Sequence, residues 1–287
     1  MKVLVLDVGG TYTKFAMVED FEILWKERVS TPRDNFLEFL RELPVKYGDM
    51  DGIVIGFPGI VSREGVVLFS PHIPSMMGRP IHSIAGVPVI VDNDANLFAL
   101  GEYVMKKDYP NLIGITLGTG VGGGIVLDGR LYRGRGGAGE VGHTIIEMDG
   151  PRCDCGNYGC AEAFLGEAYF PRRCTVWFAR AGIRVENLDG KLLKSLADGG
   201  NGVAIKCWKW YGEKLAVLIS NILNVLDPDA VALGGGLSRA YDNFSPAMYD
   251  NLSLLLGSRM KNVVIYRSPS PEKSTFIGGF KLFMDSH

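Results

Sequence analysis

Apolar runs of strand length alternate along this chain with longer stretches of helical periodicity. Val3 to Asp7 is an apolar run closed by an aspartate, Gly9-Gly10 is a tight turn and Thr13 to Val18 a returning strand, which together predict a β-hairpin. Glu22 to Ser30 continues the sheet. Phe36, Leu37, Phe39, Leu40 and Leu43 repeat at helical spacing and predict an amphipathic helix over residues 34–47, followed by a strand from Asp51 to Phe57. Beyond a proline-rich stretch from Pro71 to Pro88, the strand Val87 to Val91 delivers Asp92-Asn93-Asp94-Ala95-Asn96 to a helix, because Ala95 to Lys107 carries Leu97, Leu100 and Val104 among helix formers. Leu112 to Leu117 is a further strand ending in glycines. Helical patterns cover residues 161–180 and 203–226, with strands at Asp229 to Leu233 and Val263 to Tyr266 and a last helix from about Thr275. Such alternation is that of an α/β protein.

One internal repeat stands out. Strand, Gly-Thr turn, strand occurs at residues 3–18 and again at 112–127. Glycine lets backbone N–H groups approach an anion without Cβ interference, so each hairpin can cradle a phosphate, although an ordinary hairpin with a capping aspartate accounts for Asp7 and its neighbours equally well. A Rossmann dinucleotide site is the weaker reading, because a strand rather than a helix follows each turn. The segment Asp92 to Asn96 holds two amides and two carboxylates. Asp92 or Asn93 as a helix cap needs only one of them, and a carboxylate fixed at a strand end is well placed to accept a hydroxyl proton.

Composition changes this picture little. With 287 residues the chain exceeds the usual size of a single core, so two domains are expected, and 47% apolar with 22% charged residues suits a soluble protein with a sizeable interior. A formal charge of −2 gives no general attraction to nucleic acid or an anionic membrane, and the cluster Arg130, Arg133 and Arg135 reads as a solvated loop. No apolar stretch is long enough to span a bilayer, and Met1 leads directly into a strand without a secretory leader. Trp208, Trp210 and Tyr211 read as packing rather than as a stacking platform.

Cysteine placement adds chemistry. His143, Cys153, Cys155 and Cys160 supply one imidazole and three thiolates in a C-x-C-x4-C run, soft ligands for a closed tetrahedral Zn²⁺ site of structural type. Gly156 and Gly159 lie between the ligands, where tight bending needs positive φ. The odd cysteine count with metal-like spacing points to a reducing cytoplasm.

The run Gly118 to Gly124, the block Gly137-Ala-Gly-Glu140-Val-Gly-His143 and the segment Cys153 to Glu162 resemble the ROK family of sugar kinases and sugar-responsive repressors. So do Asp7-Val-Gly-Gly-Thr11, Asn93-Asp94-Ala95-Asn96 and Gly234-Gly235-Gly236, in family order across nearly the whole chain. The resemblance implies two actin-like, ribonuclease-H-like domains flanking a cleft: a smaller one over residues 1–110, with the helix at 275–287 packing back on it, and a larger one over 111–274 with the zinc loop. It implies an ATP-dependent hexose kinase of glucokinase or fructokinase type, cytoplasmic and homodimeric, with Mg²⁺ held by Asp7. Asp94 would be the general base. Gly59, Asn93, Asp94, Glu140, His143 and Glu162 would contact the sugar, His143 through the ring nitrogen that zinc leaves free. Asp7, Gly9, Gly10, Thr11, Gly118, Thr119, Gly120, Gly234, Gly235 and Gly236 would line the nucleotide, the last three being also what a plain βα turn requires.

Family repressors carry a winged helix ahead of the kinase-like body, whereas here the Asp7 hairpin begins within ten residues of Met1, so an enzyme is expected rather than a regulator, and intact Asp7, Asp94 and both hairpins argue against a silent sugar-binding protein. The chain departs from its family in one loop. ROK hexokinases usually have Asn-x-Pro-Gly-Trp where this chain has His72-Ile-Pro-Ser-Met76; drift in a loop that tolerates change accounts for this equally well, and the sharper reading is that glucose is not the uniquely preferred sugar and that mannose, fructose or an N-acetylhexosamine competes with it.

Overall fold

A computed structural model describes residues 1–70 and 72–287, the side chains of 260–262 apart; Pro71, first residue of the proline-rich stretch, lies outside the described residues. The chain divides into two compact units, one of Met1–Gly114, Gly124–Gly139 and Pro269–His287, the other of Ile115–Gly123 and Glu140–Ser268.

The first unit is built on a six-stranded sheet. Its strands are β1 (Lys2–Val8), β2 (Tyr12–Glu19), β3 (Glu22–Ser30), β4 (Gly52–Phe57), β7 (Ser83–Ile84) and β8 (Val87–Asn93), ordered β3-β2-β1-β4-β8-β7. Strands β1, β4 and β8 are parallel, with Asp7 opposite Gly56 and Phe57 opposite Asn93. Their carboxyl ends therefore lie side by side and bring the Gly9 turn, Pro58-Gly59 and Asn93-Asp94 to one edge of the sheet, the usual ligand edge of α/β folds. A small ribbon pairs β5 (Ile60–Val61) with β6 (Val67–Phe69). Helix α1 (Phe36–Tyr47) buries Phe36, Leu40 and Leu43, the apolar stripe that its spacing predicts.

Helix α2 (Asp94–Met105) is buried at every position from Ala95 to Glu102, so its low amphipathicity is appropriate. Helix α8 (Pro271–Asp285) covers it closely. A Cβ at Gly101 would run into the Ser274 carbonyl and one at Gly278 into the Leu97 carbonyl, so the two backbones touch. Across this contact Ser274 Oγ donates to Glu102 Oε1 at 2.5 Å.

A second sheet, ordered β11-β10-β9-β12-β13, contains β9 (Leu112–Leu117), β10 (Val121–Leu127), β11 (Arg130–Leu131), β12 (Ala230–Gly234) and β13 (Val264–Arg267). Helices of the second unit are α3 (Glu162–Leu165), α4 (Phe170–Arg180), α5 (Gly190–Asp198), α6 (Gly202–Leu226) and α7 (Tyr241–Leu256). The Asn201 side chain caps α6 by accepting from the Val203 and Ala204 amides. Trp208 and Tyr211 are fully buried, and Trp210 stacks on Phe170, so these aromatics pack.

Two sequence expectations need correction here. The helical pattern at 161–180 is not one helix: it breaks after Leu165, because the Glu167 and Ala168 amides leave the helical ladder and donate to the Gly118 and Thr119 carbonyls at 2.9 and 3.3 Å. Pro171 then restarts the chain in the first turn of α4, where a missing N–H is harmless. Arg133, expected in a solvated loop, instead forms an ion pair with a buried aspartate.

Candidate active site

In the first unit the Gly9 amide closes the hairpin onto the Tyr12 carbonyl at 3.0 Å, and Asp7 stands one step before it. Burial pushes the Asp7 carboxyl above its usual range, against the pull of Lys14, whose Nζ lies 3.7 Å away. Lys14 is shared with Glu272 at 3.3 Å, and Glu272 also takes Lys26 at 2.7 Å. A carboxylate with this environment suits a divalent cation, which would supply the charge that burial makes scarce.

At the neighbouring strand ends, Asn93 has two tasks. Its Oδ1 accepts from the Ala95 and Asn96 amides at 2.8 and 3.3 Å, and its Nδ2 donates to the Gly59 carbonyl at 2.8 Å. The capping role is real, and the second amide hydrogen of Nδ2 has no partner among the described residues. Asp92 is 5% exposed; its Oδ1 accepts from the Asn93 amide and Asn96 Nδ2, both at 2.7 Å, and its Oδ2 pairs with Arg133 Nε at 2.6 Å. Asp94 opens α2, and its Oδ1 accepts from the Ala95 amide at 3.0 Å. Gly59, Asn93 and Asp94 thus meet in one corner, with Asn93 bonded both to Gly59 and to the first turn of α2.

In the second unit, one ligand atom from each of His143, Cys153, Cys155 and Cys160 lies within 4.8 Å of every other. A tetrahedral Zn²⁺ with Zn–S near 2.3 Å spaces its sulfurs about 3.8 Å apart. The Cys155 and Cys160 sulfurs are 3.6 Å apart, and Cys153 Sγ is 3.8 Å from His143 Nδ1, so the donor set fits the ion. Gly156 and Gly159 do take positive φ, 95° and 75°. Burial pushes the Cys153 thiol up to about 12 and raises Cys160 as well; a bound cation would reverse both by favouring thiolate. With Nδ1 turned to the sulfurs, His143 Nε2 faces Glu140 at 3.9 Å. Burial raises the Glu140 carboxyl, partly offset by His143.

Glu162 joins this loop to the second glycine hairpin. Its Oε1 lies 3.8 Å from Cys153 Sγ and its Oε2 accepts from the Val121 amide at 2.9 Å. The hairpin itself is closed by the Gly118 amide on the Gly120 carbonyl at 3.0 Å, with Thr119 at its tip. Gly235 sits against β9, where a Cβ would meet the Leu117 backbone, and its carbonyl accepts from Ser238 Oγ at 2.8 Å, so Gly234 to Gly236 and the second hairpin adjoin.

The expected site residues therefore fall into two assemblies: Asp7, Gly9, Gly10, Thr11, Gly59, Asn93 and Asp94 in the first unit, the remainder in the second. Sequence reasoning missed Arg133, Lys14 and Glu272. Arg133 stands 41 residues from its partner, beyond the reach of any local pattern, whereas Lys14 was legible once the β1–β2 register put it opposite Asp7.

The ROK family pattern matches residues 3–286. An N-acetyl-D-glucosamine kinase of Erwinia tasmaniensis is 33% identical over 93% of this chain and 92% of its own, and a glucokinase of Thermotoga maritima is 30% identical over 99% and 98%. Among solved structures, a ROK family glucokinase from Streptomyces griseus, in complex with glucose and AMPPNP, superposes with a TM-score of 0.86 at 26% identity, covering 98% of this chain and 99% of that one. The α/β fold is that of ROK sugar kinases, an actin-like ATPase fold, and the chain belongs to the ROK family.

Proposed function

We propose that the protein is a sugar kinase that transfers the γ-phosphoryl group of ATP to a hydroxyl of a hexose or hexose derivative, with N-acetylglucosamine and glucose the first candidates. Family membership supports the class, and the corner made by Gly59, Asn93 and Asp94 carries the chemistry. In this reading Asp94 takes the proton of the sugar hydroxyl as it attacks phosphorus, while Asn93 and Gly59, with Glu140, His143 and Glu162 of the second unit, hold the remaining hydroxyls. The hairpins around Gly10-Thr11 and Gly118-Thr119-Gly120 donate backbone N–H groups to phosphate, and Gly234 to Gly236 receive the nucleoside. Mg²⁺, held beside Asp7, screens charge on the phosphates when bound. Zinc on His143, Cys153, Cys155 and Cys160 orders the loop that carries the sugar contacts. It does no chemistry itself. Five free cysteines suit a reducing cytoplasm, and the family expectation is a homodimer.

Coupled ATPase assays over glucose, mannose, fructose, N-acetylglucosamine and N-acetylmannosamine test this reading. One of these should be turned over, and Asp94→Asn should keep the fold and sugar binding while lowering kcat at least about 10²-fold. Unchanged turnover in Asp94→Asn removes the base assignment; silence across the panel removes the activity.

A further inference from the structure

We infer that Thr31 and Arg33 are positioning residues that aim the Gly10 and Thr11 amides of the first glycine hairpin at a phosphate group. The inference rests on the ATP-dependent reading above and adds to it the residues that set the direction of the donors.

The geometry is that of a hairpin held from behind. Thr31 Oγ1 donates to the Gly9 carbonyl at 2.7 Å, and Arg33 Nε donates to the Gly10 carbonyl at 2.7 Å, with its Nη2 bonded to the same oxygen. The Thr31 amide donates to the Thr11 carbonyl at 3.0 Å. Since the single Thr31 hydroxyl proton goes to Gly9, the Thr13 hydroxyl 3.1 Å away is the donor in their contact, which locks the Thr31 rotamer. Three consecutive carbonyls are thereby fixed by one short segment at the end of β3.

A trans peptide is planar, so its N–H points opposite to its C=O. Fixing the Gly9 and Gly10 carbonyls on the Thr31–Arg33 side turns the Gly10 and Thr11 N–H groups to the other side. Neither amide has a hydrogen-bond partner among the described residues. Paired donors turned outward without partners make an anion-binding nest. Arg33 does more than orient. Its charge, forked on one carbonyl oxygen, polarises the Gly10–Thr11 peptide and strengthens the Thr11 N–H as a donor. The segment is braced in turn, since Ser75 Oγ donates to the Arg33 carbonyl at 3.3 Å.

The test uses the full chain and four variants, Thr31→Val, Thr31→Ser, Arg33→Met and Arg33→Lys, each checked for folding by thermal unfolding. Binding of a non-hydrolysable ATP analogue is titrated calorimetrically, and KM for ATP and for sugar are measured separately. Thr31→Val and Arg33→Met should each weaken nucleotide binding and raise KM for ATP about 3- to 10-fold, the scale of a lost hydrogen bond, while KM for sugar moves less than about twofold. Thr31→Ser, which keeps the hydroxyl, should rescue binding, and Arg33→Lys should fall between wild type and Met. If Thr31→Val and Arg33→Met both bind the nucleotide within about twofold of wild type, the inference fails. If only the Arg33 variants weaken, a direct charge contact replaces orientation and the inference also fails. A wild type that binds nucleotide but phosphorylates no sugar overturns the kinase reading alone; one that binds no nucleotide overturns both.

Discussion

Arg133 Nε lies 2.6 Å from Oδ2 of the buried Asp92. This pair ties the strand end that carries Asn93 and Asp94 to the segment after β11. Arg133→Met would leave Asp92 buried without its counter-charge. The loss should be about 1–3 kcal/mol, less than for a fully buried pair because Arg133 is itself 27% exposed. Urea unfolding reads the stability. If the pair also holds the corner of Gly59, Asn93 and Asp94 in register for the proposed reaction, kcat should drop about tenfold with little change in KM for ATP. Wild-type kcat in a destabilised variant would separate the two roles and remove the second.

Asp7 gives a pH-dependent prediction. Its folded pKa is raised, chiefly by burial, so the folded state binds that proton more tightly than the unfolded chain does. The stabilising contribution is full below the ordinary aspartate range and is lost as pH rises through the raised folded value. Asp7→Asn should therefore stabilise the ligand-free protein at pH 7, and the gain should shrink on acidification; Lys14 keeps Glu272 as a partner in the variant. Melting temperatures of both proteins across pH decide it. A variant less stable than wild type at pH 7 contradicts the prediction.

Where α2 meets α8, Gly278→Ala puts a methyl group into the Leu97 carbonyl. Despite a gain in helix propensity it should destabilise by about 1–3 kcal/mol through overpacking. A melting temperature equal to or above that of wild type would show that the contact yields.

Elemental analysis should find about one zinc per chain, and Cys155→Ala should lose the metal together with about tenfold or more of sugar affinity, because Glu140, His143 and Glu162 hang on the same loop. Full sugar affinity in a preparation stripped by chelator would refute the structural role.

The His72 imidazole covers the first hairpin: a Cβ on Gly10 would stand 3.2 Å from its ring. Specificity constants for glucose, mannose, fructose and N-acetylglucosamine should show no unique preference for glucose, and His72→Asn should shift the ratios and KM for ATP together. Glucose leading by about 100-fold in both proteins would show that this loop does not select the sugar.

What was legible in the sequence is what is local. The β1 turn, the β8-to-α2 corner and the cysteine run each place their chemistry within a few residues, and each is found as a local unit. Bonds between distant segments left no mark in the pattern. Arg33 to Gly10 spans 23 residues, Val121 to Glu162 spans 41 and Ser274 to Glu102 spans 172, and each is decided by packing rather than by propensity. The break between α3 and α4 shows the same limit: the helical spacing is present on both sides of Gly166, and only the competing carbonyls of Gly118 and Thr119 divert the amides between them. Helix α5 escaped notice because it is short, with only Gly190, Leu193 and Ala197 buried.

That diversion has a consequence for how each hairpin can vary. Behind the first hairpin stand a hydroxyl and a guanidinium, groups that a single codon change can delete, exchange or weaken by degrees. The carbonyls of the second are held by main-chain amides of Glu167 and Ala168, which every residue except proline supplies. Random mutagenesis should therefore loosen the carbonyl anchors of the first hairpin readily, while those of the second yield only to proline at Glu167 or Ala168 or to insertions and deletions between α3 and α4.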